Sequence, residues 1–405
     1  MTPFQIITAL IVALIYAGVA IGRVPGLRMS RATIALAGAA LLVVIGAISE
    51  EEAITALDMG TILLLGAMMV INVNLRMAGF FRFVAARALR LAHTPRLLLA
   101  MVILSSGVLA AVFLNDTICL MLTPLVIDLT TRLKRDPLPY LVGLATAANV
   151  GSTATITGNP QNLIIGQASG IPYLTFLAYL GPVALSGLLI CWVVIVVVYR
   201  DEFRGGLPAA TLPPPRPYTP LLRRTLVIIA GLMVAFLAGV PVVTAACAAA
   251  ALLLLSRLRP GKLMALDWEL LAFFAGLFVV TGAIEVTGLS ELLFESTAPI
   301  LHSGVAVFSV IVGVLSNVVS NVPAVLLLRP EIAAFPDPQQ AWLTLAMAST
   351  LAGNFTLIGS AATLIVAEVA RPFGVHLTFG AYLRAGIPIT VLTMLAGILW
   401  LTLMF

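Results

Sequence analysis

Charge is what this chain most conspicuously lacks. Only 10% of its 405 residues are Asp, Glu, Lys or Arg, where a soluble globular protein carries about 25%. So little charge cannot cover a water-facing surface, which excludes an ordinary soluble enzyme. Cysteine is scarce too. Cys119, Cys191 and Cys247 all sit in apolar context without metal-ligand spacing, so free buried thiols are expected and a metal site is not. His93, His302 and His376 are scattered and form no ligand set. There is no HExxH, Gly-x-Ser-x-Gly or paired-Asp motif, so an intramembrane enzyme has no support, and no cofactor is expected. The period-2 alternation of a membrane barrel is missing. No cleavable signal peptide is evident, and the run from Pro3 to Gly22 is long enough to be a true span.

What is present is apolar sequence: 61% of residues are hydrophobic and the mean hydropathy is +1.13. The chain reads as an all-α polytopic membrane protein. Apolar runs fall near 3–22, 32–48, 59–75, 97–114, 118–131, 139–169 and 173–199, then near 225–239, 241–256, 269–288, 303–319, 322–335, 341–370 and 379–404. A crossing needs about 20 helical residues, so the 118–131 and 322–335 arms are too short to cross alone.

The formal charge of +5 lies in short clusters between spans, which reads as topology signal and not as a nucleic-acid patch. Basic loops belong inside the cell. Arg23, Arg28 and Arg31 then put the N-terminus outside, Glu50, Glu51 and Glu52 outside, and Arg76, Arg82, Arg87, Arg90 and Arg96 inside. Arg132, Lys134 and Arg135 should also be inside, so 97–131 must enter and leave on one side as a re-entrant hairpin. The Pro- and Arg-rich linker 201–224 is cytoplasmic. The second half runs in the opposite sense, with Arg257, Arg259 and Lys262 inside and the C-terminus outside. About ten crossings and two opposed hairpins satisfy the charge clusters, Arg329 and Arg384 excepted.

The halves also match residue by residue. Asp58 and the span ending at Gly79 match Asp267 and the span ending at Gly288; Asn115 to Pro124 matches Asn321 to Pro330; Gly158 to Ile165 matches Gly359 to Val366. Two copies of this kind in opposite orientation are an inverted repeat. The expected organisation is a first repeat over 1–200 (scaffold 1–75, hairpin 97–131, broken helix 139–169), the linker 201–224, and a second repeat over 225–405 (scaffold 225–288, hairpin 303–335, broken helix 341–370).

Helix-breaking polar residues recur at matching places: Asn115-Asp116-Thr117 and the stretch Gly151 to Asn162 in one half, Ser320-Asn321-Val322-Pro323 and Gly353 to Ser360 in the other. Broken backbone at membrane depth is tolerated only where protein buries it or it lines a cavity. Paired interruptions of this kind point to a secondary transporter's binding site. The candidate binding residues are Asn115, Thr117, Asn149, Ser152, Thr153, Thr155, Gly158, Asn159, Asn162, Asn317, Ser320, Asn321, Asn354, Thr356, Gly359 and Ser360. They offer neutral donors and acceptors, and open helix N-termini beside them would offer N–H groups to an anion or oxyacid. Singly, such Ser, Thr and Gly residues also serve helix packing. Asp116 stands apart. A charged Asp at the bilayer centre costs at least about 2.5–3.5 kcal/mol, so it is the candidate for coupling to H+ or Na+. Arg329 is expected to snorkel, and Asp128 to pair with Arg132.

The Asn-Asp-Thr tip, Leu122-Thr123-Pro124, Gly158-Asn159-Pro160-Gln161-Asn162, Thr356–Ala367 and the closing Tyr382-Leu383-Arg384-Ala385-Gly386 resemble the ion transporter superfamily, in its anion-permease branch with the bacterial arsenite permeases. Thr117 stands where those permeases usually carry Gly. The resemblance implies alternating access in a bacterial inner membrane. It also implies H+ or Na+ coupling, a possible homodimer through the 3–75 and 225–288 spans, and, for an arsenite permease, a soluble ATPase partner. Proton-coupled efflux of arsenite, antimonite or a similar small oxyacid is the first expectation. A sodium-coupled importer of sulfate or a dicarboxylate, and a sodium/proton antiporter, stay open.

Overall fold

Short polar side chains and prolines set the helix boundaries, and they do so twice. Asp58 accepts from Thr61 N at 3.0 Å to start Met59–Met77, and Asp267 accepts from Leu270 N at 3.0 Å to start Trp268–Val286. Asp136 opens Pro137–Ser152 and Asp337 opens Pro338–Ala352, each with proline in the first turn, where its missing N–H is no loss. Asn159 caps Pro160–Ser169, and Ser360 caps Ala361–Ala370. Gly79 and Gly288 follow the two scaffold helices at φ 76° and 68°, a left-handed conformation that costs a β-carbon-bearing residue more than it costs glycine. The same local chemistry at matching places yields the same elements.

A computed structural model describes residues 2–21, 29–84, 92–207, 219–255, 266–295 and 298–405. The described residues are helical throughout, with turns between helices and no strand. Seven helices are long and apolar enough to cross a membrane: Pro3–Ile21, Met59–Met77, Pro95–Val112, Tyr173–Val198, Pro220–Leu237, Trp268–Val286 and Phe379–Met404. Arg31–Val44 and Val242–Leu254 have 14 and 13 residues, less than the roughly 20 that a perpendicular crossing takes. They are repeat mates, so the shortfall is common to both halves. Arg23, Arg28, Arg87, Arg90, Arg257, Arg259, Lys262 and residues 208–218 of the expected linker lie outside the described residues.

Each expected hairpin and broken helix is present. The first hairpin pairs Pro95–Val112 with Asn115–Arg132, and the second pairs Val305–Val319 with the short Asn321–Leu328 followed by a 3-10 turn, Arg329–Ala334. The first broken helix is Pro137–Ser152 then Pro160–Ser169; the second is Pro338–Ala352 then Ala361–Ala370.

Packing follows the repeat. Arg31–Val44 lies on Trp268–Val286 as Val242–Leu254 lies on Met59–Met77, forming a scaffold across the halves. In each half the hairpin's entry arm lies on the leading segment of the broken helix. The return arms cross over: Asn115–Arg132 packs on Ala361–Ala370, and Asn321–Leu328 packs on Pro160–Ser169. The 26-residue helices Tyr173–Val198 and Phe379–Met404, with interior prolines Pro182 and Pro388, pack on each other and close this transport unit. The outer faces carry exposed aliphatics such as Leu14 (72%), Val44 (82%) and Leu185 (68%), a surface suited to lipid and costly in water.

Two glycine contacts bring backbones to close range, one within the scaffold and one within the transport unit. Gly276 sits so near the Ala35 backbone that a Cβ there would lie 2.7 Å from Ala35 C. Gly151 meets Gly107 backbone to backbone, and a Cβ at Gly151 would collide with the Gly107 carbonyl. The latter contact ties the first broken helix to the first hairpin.

Candidate functional site

At the centre, Asn149 gathers both halves. Its Oδ1 accepts from Asn115 Nδ2 at 3.0 Å and from Ser360 Oγ at 3.1 Å, while its Nδ2 donates to Asn354 Oδ1 at 2.8 Å. Asn354 Nδ2 continues to the Thr146 carbonyl at 3.2 Å. The repeat mate of Asn149 is Thr350, which plays the matching part: its Oγ1 accepts from Asn159 Nδ2 at 3.1 Å and Gln161 Nε2 at 3.2 Å. Side chains from one hairpin tip and both broken helices therefore form one buried, uncharged network. Leaving one of these groups unpaired would cost about 1–3 kcal/mol, so the network fixes how the two unwound segments face each other.

The first unwound segment is sealed. Asn115 N donates to the Gly158 carbonyl at 2.9 Å, and Thr155 Oγ1 donates to the Ala111 carbonyl. Asn162 Nδ2 donates to Ser152 O at 3.1 Å and Thr155 O at 2.9 Å, and Ser152 and Thr153 hydroxyls return to Asn149 O. Gly158 has no room for a Cβ against Ser152 and Ala110. In the second half, Asn317 Nδ2 donates to Gly313 O and Ala352 O, each at 3.0 Å, with Thr356 Oγ1 at 3.5 Å from its Oδ1. The Asn321 amide nitrogen faces Ser349 O at 3.1 Å and Gly359 O at 3.3 Å. Ser320 bends the second tip at φ 81°. Residues 153–159 are all buried, whereas Phe355 and Ile358 of the matching second segment are 38% and 55% exposed. The second unwound segment is thus the less buried of the two.

Three sequence expectations change. The half-helix N-termini are partly taken up by their own caps: Asn159 accepts from Asn162 N at 2.8 Å, Ser360 accepts from Ala362 N at 3.1 Å, and Pro160 brings no N–H. The cap sequences that break these helices also engage one N–H of each first turn. Asp116 and Thr117 do not face the central network. Their helix starts at Asn115, and successive residues on a helix diverge, so Asn115 points inward while Asp116 lines a lateral cleft with Asn72, Arg76 and Asp267. Thr117 Oγ1 accepts there from Asn72 Nδ2 at 3.2 Å, and Asp267 and Arg31 are the charges that act on Asp116. Finally, Arg329 does not simply snorkel; its Nη1 lies 3.6 Å from Asp58 Oδ2. The Asp128–Arg132 pair forms at 2.9 Å, and Cys119, Cys191 and Cys247 are free thiols, the last only half-buried.

The structure adds Thr350, Gln161, Thr146, Asn72 and Arg31 to the site. The residue-by-residue repeat signals Thr350, as the mate of Asn149. Asn72 and Asn74 signalled themselves only as two amides inside one apolar span.

A family model described as citrate transporter, CitMHS, matches residues 11–352. The silicon efflux transporter LSI3 of Oryza sativa subsp. japonica is 32% identical over 450 residues, covering 93% of both chains. The putative transporter arsB of Dictyostelium discoideum is 24% identical over 491 residues, covering 92% of this chain and 87% of the relative. The crystal structure of the Alcanivorax borkumensis YdaH transporter, which has an unusual topology, superposes with a TM-score of 0.59 at 15% identity, over 99% of this chain and 97% of that one. At that identity the likeness concerns the fold.

Proposed function

The chain belongs to the CitMHS citrate transporter family, and we propose that this secondary transporter exports a small, uncharged, hydroxylated acid such as arsenite, antimonite or silicic acid in exchange for protons. The observation that carries this reading is the uncharged centre. Asn115, Asn149, Asn354, Ser360, Asn159 and Thr350 supply amides and hydroxyls and no cationic side chain. Such groups both donate to and accept from a hydroxyl, which matches a solute made of hydroxyls around one centre. Burying an anion there without a cation would be costly. The names of two relatives, one a silicon efflux transporter and one an arsB, support the same solute class. Asp116 serves as the exchange group: a proton neutralises it on one side and leaves on the other. We assign the protein to a bacterial inner membrane, with both termini outside.

The description of the family model favours a second reading, citrate transport. A trianion would need the arginines, and Arg31 and Arg76 lie by the lateral cleft and not at the centre. Uptake into everted vesicles of cells expressing the protein separates the readings. Arsenite or silicic acid accumulation driven by an imposed proton gradient supports the first. Citrate accumulation, with no response to either acid, would replace it with the second.

A further inference from the structure

The cleft that holds Asp116 has a twin. The first cleft, about 650 Å³ with its open mouth, is lined by Asn72 and Arg76 of the Met59–Met77 helix and by Asp116 and Leu120 of the first hairpin. The second, about 880 Å³ with its mouth, is lined by Thr281 and Glu285 of the Trp268–Val286 helix and by Leu326 and Arg329 of the second hairpin. Thr281 and Glu285 stand as far past Asp267 as Asn72 and Arg76 stand past Asp58. Leu326 follows Asn321 as Leu120 follows Asn115. The clefts are therefore repeat mates, and both run along the boundary between scaffold and transport unit.

Their charges are exchanged. In the first cleft the hairpin brings a carboxylate, Asp116, and the scaffold brings arginines, Arg76 and the nearby Arg31, with the cap Asp267 beside them. In the second the hairpin brings an arginine, Arg329, and the scaffold brings carboxylates, Glu285 and the cap Asp58. The two clefts also differ in state. Arg329 Nη1 touches Asp58 Oδ2 at 3.6 Å, with Asp58 only 15% exposed. Asp116 makes no ion pair among the described residues, and Asn72 Oδ1, 97% shielded with its residue, has no donor. Opposite charges attract more strongly in a partly desolvated cleft than in water, so whichever cleft is closed by contact holds the transport unit in place.

We propose that the two clefts are the two stations of one electrostatic latch between scaffold and transport unit, with Arg329–Asp58 closed in the position seen here and Asp116 with Arg31 and Arg76 closed in the other. The latch rests on the alternating-access reading above. Its function would be to make the unit dwell at two positions, and to let neutralisation of Asp116 weaken one station without touching the other.

The test uses the full-length protein in lipid nanodiscs, with Cys119, Cys191 and Cys247 replaced by alanine and spin labels at Glu51→Cys on the scaffold and His376→Cys on the transport unit, both exposed. Pulsed electron resonance then reads the ratio of two distances. Arg329→Gln is expected to lower the share of the position seen here at least fivefold, and Asp58→Asn to match it, because asparagine keeps the helix cap and removes only the charge. The double variant should equal either single variant, and Asp116→Asn should move the ratio the other way. Two distances whose ratio ignores both Asp58→Asn and Arg329→Gln would overturn the latch, as would additive shifts in the double variant. One unvarying distance in every protein would overturn the alternating-access reading, and the latch with it.

Discussion

The amide of Asn149 donates to Asn354 Oδ1 at 2.8 Å, joining the last turn of one broken helix's leading segment to the unwound middle of the other. The same side chain accepts from a hairpin tip and from the Ser360 cap. Replacing it removes three contacts at once. Asn149→Ala should leave Asn115, Asn354 and Ser360 searching for partners, at about 1–3 kcal/mol for each group left unpaired. Transport in proteoliposomes should fall more than tenfold, and the melting temperature should drop. Asn149→Asp should do no better, because it brings a charge and loses the donor to Asn354.

The contact of Gly151 with Gly107 predicts a purely steric defect. Gly151→Ala pushes a methyl group into the Gly107 carbonyl, and overpacking of this kind costs about 1–3 kcal/mol. Fluorescence-detected size exclusion after graded heating should show a lower midpoint. Gly231→Ala, in the Thr219–Leu237 helix with no atom within 4 Å of an added Cβ, should be neutral or slightly stabilising.

The unequal burial of the two unwound segments predicts one-sided accessibility. In a background without native cysteines, Ile358→Cys should react with a water-soluble maleimide, since Ile358 is 55% exposed. Thr157→Cys should be protected at least tenfold, since Thr157 is 0% exposed. Equal labelling of both would contradict the closed first segment.

The cap at Asp58 can be separated from its ion pair. Asp58→Ala loses both the acceptor for Thr61 N and the partner of Arg329, and cap loss alone costs about 0.5–2 kcal/mol. Asp58→Asn should recover most of the stability lost in Asp58→Ala, read as the difference in melting midpoint, while removing the Asp58 charge from Arg329.

Much of this architecture could be read in the sequence because it rests on local rules. Asp-capped spans, Asp-Pro helix starts and polar interruptions fall at matching places in both halves, and each forms the element its chemistry favours. What the sequence did not reveal depends on rotation about helix axes and on packing across the halves. The Asn115-Asp116-Thr117 tip looked like one cluster, yet helical geometry sends Asn115 to the centre and Asp116 and Thr117 to the cleft. Asn159 and Ser360 were legible as polar breakers, but their use as caps, which takes up one N–H of each half-helix, follows from side-chain direction. The Arg329–Asp58 contact joins residues far apart in the chain and left no local trace.

The central claim is that a neutral polar centre carries the solute while Asp116 carries the proton. Proton release from proteoliposomes containing a trapped pH dye, measured on adding arsenite or silicic acid without sodium, tests it directly on wild type and Asp116→Asn. The account predicts solute-dependent proton movement in the wild type, and in the variant loss of proton movement with protein still folded and solute still bound. Proton movement undiminished in Asp116→Asn, or solute flux that requires sodium and moves no protons, would contradict it.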